Sequence, residues 1–214
     1  MTILALEFSS ARRSVALCQA DGLLLAEAVE HTDGRGTGAF ALIEKVLTTA
    51  KLPRNAVELI AVGLGPGSYT AIRAAIAVAQ GWQLARGIKL LGISSVASLA
   101  VEAQKAKLFG AVNLIIDAQR GEFYRSHWEI SDAARQEVSP LQIIPRSEIV
   151  LAPAGGQIYA GPDLGEKLYP SAVSIAVLAS QAAQNPLNFT PGEQLSPIYL
   201  RETTFVKASP ARHV

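Results

Sequence analysis

Gly63-Leu64-Gly65-Pro66-Gly67-Ser68-Tyr69-Thr70-Ala71-Ile72-Arg73 joins an apolar run to an alanine-rich one. Leu59–Val62, just before it, is short and apolar, as a buried strand is; Thr70–Arg86, after it, has the character of a helix. The three glycines allow sharp turns or positive φ. Pro66 stiffens the bend and has no place in a central strand. Ser68 is positioned to cap the helix through its hydroxyl. Such a turn serves one of two ends: it holds an anion at a helix N-terminus, or it lets neighbouring chain pack closely. No Gly-Lys-Ser/Thr follows, so it is not a P-loop, and Ser68 stands where a dinucleotide fingerprint needs its third glycine. Close packing is the favoured reading.

Upstream, Thr2–Phe8 is expected as a strand, Ser9–Arg13 as a polar turn and Ser14–Gln19 as a second strand. Asp21-Gly22 signals a hairpin into a third strand, Leu23–Val29, and Thr32–Gly38 is a glycine-rich loop. Ala39–Ala50 is a helix with Phe40, Ile43 and Leu47 on one stripe and Leu42 and Val46 beside it. That arc is broader than one buried face requires. Either the helix is deeply buried, or it carries a second apolar face for a partner. The helix Thr70–Arg86 has a stripe of Ile72, Ile76, Ala79 and Trp82, and a mixed stripe of Tyr69, Arg73, Ala77, Gln80 and Leu84. Its many alanines permit close approach by another helix. Lys89–Ile93 is a further strand, and Ser94 or Ser95 caps a helix to about Lys105. The order so far is βββαβαβα.

The second half opens like the first. Ala111–Ile116 is apolar and ends at Asp117; Ala118–Gly121 is a turn and Glu122–Ile130 a returning strand. The first half has Leu4-Ala5-Leu6-Glu7, a turn with Arg12 and Arg13, then Ser14–Gln19. This is a repeat of structure rather than of sequence. It implies an N-terminal lobe over 1–106 and a reduced second lobe over 107–214. Beyond Ser131 the pattern loosens. Ser147–Leu151 is expected as a helical turn, Gln157–Ala160 as a short strand, Ser171–Gln184 as a helix, and Pro191–Val214 as extended or partly disordered.

The chain has 214 residues, half of them apolar, so a sizeable core needs no staples. A formal net charge of +1 argues against binding nucleic acid by bulk electrostatics. Lys207, Arg212 and His213 give only a small basic tail. Cys18 is the single cysteine, expected in a buried strand. No apolar run reaches the roughly 18 residues of a membrane span, and the start lacks the features of a signal peptide. A cytoplasmic protein without membrane contact is expected. His31, His127 and His213 share no metal-ligand spacing, so neither a metal nor a cofactor is expected.

Two lobes that each open on such a hairpin suggest the actin/Hsp70/sugar-kinase superfamily, a two-lobed α/β fold. Four segments together carry a more specific resemblance: Leu4–Ser10, Gly65–Arg73, Asp117–Tyr124 and Ser196–Arg201. In order and spacing across nearly the whole chain, the sequence resembles the TsaB (YeaZ) family. The resemblance implies a part in forming threonylcarbamoyladenosine in tRNA, beside the anticodon. It implies a non-catalytic subunit that binds and supports TsaD, the related subunit that transfers the threonylcarbamoyl group. It further implies an ATP-dependent ternary complex with TsaE, a homodimer when alone, TsaC elsewhere in the pathway, and only indirect contact with tRNA. The helices at 39–50 and 70–86 would form the homodimer and TsaD surfaces. Three departures stand out. Glu7-Phe8-Ser9 replaces the usual Asp-Thr-Ser, Asp33–Gly38 replaces a His-Ser-Glu lead-in, and Thr70-Ala71-Ile72-Arg73 replaces Thr-Gly-Leu-Arg.

The expected partner interface is therefore Phe40, Ile43, Leu47, Tyr69, Arg73, Ala77 and Gln80. Glu7, Ser9 and Asp117 stand as relics of a nucleotide site, capping strands or pairing with Arg12, Arg13 or Arg120. No catalytic residue can be nominated. Two hypotheses follow: a scaffold for TsaD, or a stand-alone actin-like kinase or hydrolase that binds Mg-ATP. On the scaffold reading, Ile43→Asp or Ala77→Glu would break association and leave the monomer folded.

Overall fold

Thr2–Glu7 (β1) is apolar almost throughout, as a strand covered on both faces must be. Leu4, Leu6 and Phe8 join one core, Ile3 and Ala5 another on the opposite face. In this computed structural model, which describes residues 1–32, 38–150 and 158–201, β1 is the middle of a five-stranded sheet. Its companions are β2 (Arg12–Gln19), β3 (Leu24–His31), β4 (Leu59–Gly63) and β5 (Lys89–Ile93), in the order β3-β2-β1-β4-β5. The first three strands are antiparallel; β1, β4 and β5 run parallel.

The second sheet repeats this plan strand for strand. It contains β6 (Gly110–Gln119), β7 (Glu122–Ile130), β8 (Arg135–Pro145), β9 (Ile158–Gly161) and the two-residue β10 (Glu166–Lys167). Its order is β8-β7-β6-β9-β10, antiparallel across the first three and parallel across the rest. The repeat foreseen at the opening hairpins extends to all five strands, which gives the two-lobed, actin-like α/β architecture.

The helices do not follow the chain division at 106/107. In the first lobe, α1 (Ala39–Ala50) and α2 (Tyr69–Arg86) cover one face of the sheet. The other face is covered by α4 (Ala172–Ala182), which comes from the second half. Ala5, Ala16 and Ala61 on that face meet Ala172, Ala176 and Ala179, so small side chains on both sides seat the helix closely. Conversely α3 (Ser95–Lys105), from the first half, packs Val96, Leu99, Ala100 and Ala103 against Val112, Leu114 and Tyr124 of the second sheet. The two helices meet in a polar cluster. Ser98 Oγ accepts the Ser171 amide at 3.0 Å, and Glu102 Oε1 accepts from Ser171 Oγ at 2.7 Å and from Ser174 Oγ. Lys105 Nζ lies 3.1 Å from Glu102 Oε1. Burial would raise the Glu102 carboxyl, but the serine hydroxyls and Lys105 outweigh it and hold it below the usual range.

Two strands were not foreseen: β8, whose edge position leaves it mostly exposed with little hydrophobic alternation, and β10, too short to leave a pattern. The helical turn expected at 147–151 is a 3-10 turn at Arg146–Glu148. A 3-10 turn at Gly192–Gln194 interrupts what was expected as extended chain from Pro191 on, and another, Pro186–Asn188, precedes it. Asp33–Thr37, Leu151, Gln157, Lys207, Arg212 and His213 lie outside the described residues. Among the described residues no helix is long and apolar enough to cross a membrane.

Candidate functional site

Because β1, β3 and β4 are parallel, α1 and α2 begin at the same end of the first sheet, the end that faces the second lobe. A cleft of about 820 Å³ opens there between the lobes. Its walls come from the β1–β2 turn (Ser9, Ser10, Ala11), the glycine turn (Gly67, Ser68, Tyr69), the β6–β7 turn and Tyr169. Four of the five tyrosines, Tyr69, Tyr124, Tyr169 and Tyr199, line it.

The glycine turn serves close packing. A Cβ at Gly63 would fall 2.0 Å from Glu7 Oε2, and one at Gly67 (φ +144) would fall 2.2 Å from the Ser9 carbonyl oxygen. Only glycine lets this turn lie on the β1–β2 turn so closely. Ser68 stands at the N-cap position, but its hydroxyl does not cap the helix; its amide donates instead to Ser9 O at 2.8 Å. Ser94, not Ser95, caps α3, accepting from the Val96 amide at 3.2 Å.

Glu7 is fully buried beneath this turn. Oε1 accepts the Ser9 amide at 2.7 Å, and Oε2 accepts the Ser95 hydroxyl at 2.7 Å. Ser95 Oγ in turn accepts the Gly65 amide at 3.0 Å. Burial pushes the Glu7 carboxyl above the usual range, against the pull of its Ser9 and Ser95 neighbours. Asp117 plays the matching part in the second lobe: Oδ1 accepts the Gln119 amide at 2.7 Å, two residues on. Each acid thus closes its own strand-end turn. Asp117 and Ser9 line the cleft, whereas Glu7 does not. Among the described residues no three His, Cys, Asp or Glu side chains are grouped to hold a metal ion. Cys18 is buried in β2, and burial first, with Glu27 adding to it, pushes its thiol up to about 11.

The expected interface residues divide. Ile43 and Leu47 are 1% and 3% exposed and belong to the first lobe's own core, together with Leu42 and Val46. Neither is available to a partner, contrary to the expectation: the apolar arc of α1 is broad because the helix is pressed against β2 and β3, and it holds no second apolar face. Phe40, 66% exposed, is the one large apolar side chain α1 turns outward. On α2 the mixed stripe does face out. Tyr69 is 48% exposed, Arg73 and Ala77 are exposed, and Leu84 is 91% exposed. The Arg73 guanidinium lies 5.6 Å from the centroid of the Tyr69 ring. Gln80 is half-buried, and its Nε2 donates to Gly192 O at 2.7 Å, so it is partly engaged within the chain. Sequence reasoning missed Tyr124, Tyr169 and Tyr199 as cleft residues, and the Ser98–Glu102–Ser171–Ser174 cluster, whose members lie 69 or more positions apart across the α3–α4 contact.

The architecture defines a class, a two-lobed actin-like α/β protein whose interlobe cleft offers no grouped metal ligands among the described residues. A family model for TsaD, tRNA N6-adenosine threonylcarbamoyltransferase, matches residues 39–186. Escherichia coli tRNA threonylcarbamoyladenosine biosynthesis protein TsaB is 27% identical, over 99% of this chain and 100% of its own length. The Haemophilus influenzae protein of the same name is 30% identical over 59% of this chain and 53% of its own. The solved structure of YeaZ from Pseudomonas aeruginosa superposes with a TM-score of 0.77 at 26% identity, covering 93% of this chain and 99% of the other. The chain belongs to the TsaD-related proteins, in the TsaB (YeaZ) family.

Proposed function

We propose that this chain is a non-catalytic accessory subunit in the formation of threonylcarbamoyladenosine in tRNA. A relative aligned along nearly its full length carries that pathway in its name. The chain's work is to bind TsaD and hold it in an active form, with TsaE joining the pair when ATP is present. Alone, the same surface joins two copies of the chain. The observation that carries this reading is the outward stripe of α2, Tyr69-Arg73-Ala77, beside Phe40 of α1. A tyrosine braced by an arginine, an alanine that lets a second helix approach, and an exposed phenylalanine make a partner face, because aromatic and arginine side chains dominate binding energy. The lobe division at 1–106 and 107–214 is kept as the chain-order division, with α3 and α4 exchanged between sheets.

Glu7 is sealed under the glycine turn, and this disfavours the stand-alone Mg-ATP enzyme, for a carboxylate without solvent access does not place a hydrated cation. The test is reconstitution: threonylcarbamoyl transfer by TsaD, TsaE and TsaC with and without this chain. Restored transfer together with no nucleotide turnover by the isolated chain supports the scaffold. Turnover of Mg-ATP by the isolated chain would replace it with the enzyme reading.

A further inference from the structure

We propose that Ser196–Arg201 is an inter-lobe latch that sets the opening of the cleft. The segment leading to it is anchored on the first lobe. The Thr190 amide donates to Leu90 O at 2.9 Å, and the Gly192 amide to Gln83 Oε1 at 2.9 Å. Leu195 is buried in the first core, and the Ile198 amide donates to Leu64 O at 2.8 Å. The chain then crosses the mouth of the cleft. Tyr199 packs against Tyr69, with ring centroids 5.9 Å apart. Arg201 reaches the second lobe, where Nη2 donates to Ala118 O at 2.9 Å and lies 2.6 Å from Glu122 Oε2. Two lobes are thus joined by one guanidinium, bound to a backbone carbonyl and a carboxylate, the strong class of hydrogen bond.

The receiving turn is suited to being held. Gln119 and Arg120 both have positive φ, 64° and 61°, a conformation that non-glycine residues adopt against a steric penalty. The Asp117 carboxylate takes the Gln119 amide from one side, and Arg201 takes the Ala118 carbonyl from the other. The α3–α4 cluster around Glu102 also joins the two lobes, but it includes none of the residues that line the cleft. Tyr199 and Arg201 both line the cleft. Closing the latch fixes the cleft's width; releasing it lets the lobes swing about the α3–α4 contact. The latch holds whether or not α2 binds a partner.

The test uses the full chain without partners. Spin labels are placed at Lys45→Cys on α1 and Asp132→Cys beyond β7, both exposed sites; buried Cys18 stays unlabelled. Inter-label distances and hydrogen exchange over 117–124 are compared for the parent, Arg201→Ala and Glu122→Gln. A broader or longer distance distribution, with exchange of the hairpin about tenfold faster in Arg201→Ala and a smaller change in Glu122→Gln, supports the latch. Faster exchange with an unchanged distance distribution would make Arg201 a staple of the turn alone and overturn the proposal, as would no change in either. If Arg201→Ala fails to fold, Glu122→Gln decides by the same two readouts.

Discussion

α1 and α2 lie side by side on the same face of the same sheet, begin at the same end and use their surfaces in opposite ways. α1 is the more hydrophobic, and that apolar surface is spent inward: Leu42, Ile43, Val46 and Leu47 are all buried. α2 buries only Ala71, Ile72, Ala75, Ile76 and Ala79 and leaves Tyr69, Arg73, Ala77 and Leu84 in the open. The lesson is that width of apolar arc reports depth of seating. On the proposed reading of α2, a partner face is marked by small and amphipathic residues, because such a face must stay presentable in water before the partner arrives.

The comparison breaks most violently at Ile43. Ile43→Asp places an unpaired charge in the first core and is expected to cost about 3–5 kcal/mol, enough to abolish or severely weaken the cooperative urea transition. This reverses the expectation drawn from sequence, in which that variant stayed folded. Leu47→Ala comes next, at about 2–5 kcal/mol for a buried leucine. Its urea midpoint should fall while the protein that remains folded binds its partner normally.

A control that leaves both helices alone is the pair of acids Glu102, half-buried, and Glu7, fully buried. The folded pKa of Glu102 is lowered, so its stabilisation is present above its unfolded value, roughly 4.3, and is lost as pH falls through the lower folded value. Glu102→Gln should therefore cost about 1–3 kcal/mol at pH 7, with the gap to the parent closing in acid. Glu7 has the opposite sign. Its folded pKa is raised, so the neutral form favours folding below the unfolded value, and that advantage is lost as pH rises through the folded one. Glu7→Gln should gain on the parent as pH rises from 4 towards 8, read as the difference in thermal midpoints at each pH. The smallest effect on folding belongs to Phe40→Ala, within about 0.5 kcal/mol as at other exposed sites, but with partner affinity weakened about tenfold, or ~1.4 kcal/mol.

The sequence made the strands of the first lobe readable because their apolar runs are continuous and bounded by strong turn signals such as Asp21-Gly22 and the glycine turn. It made Asp117 readable because the same strand-acid-turn pattern recurs. It did not reveal β8, since an exposed edge strand has no buried face to stamp a period of two on it. Nor could it tell which stripe of α1 faces the sheet: five apolar positions around one arc fit either orientation until the neighbouring strands are in place. The exchange of α3 and α4 was hidden for the same reason. Alanine on both partners carries no address, and the Ser98–Ser171 contact joins residues 73 positions apart.

The most direct measurement is sizing-column co-elution of this chain with TsaD from the same organism, with and without ATP and TsaE, comparing the parent with Ala77→Glu. The account predicts a stable complex for the parent. For Ala77→Glu it predicts a folded chain, with thermal midpoint near the parent's, that elutes apart from TsaD and no longer supports threonylcarbamoyl transfer. A parent that stays apart from TsaD, or an Ala77→Glu chain that binds TsaD as the parent does, would contradict the claim that the outer face of α2 is where this protein does its work.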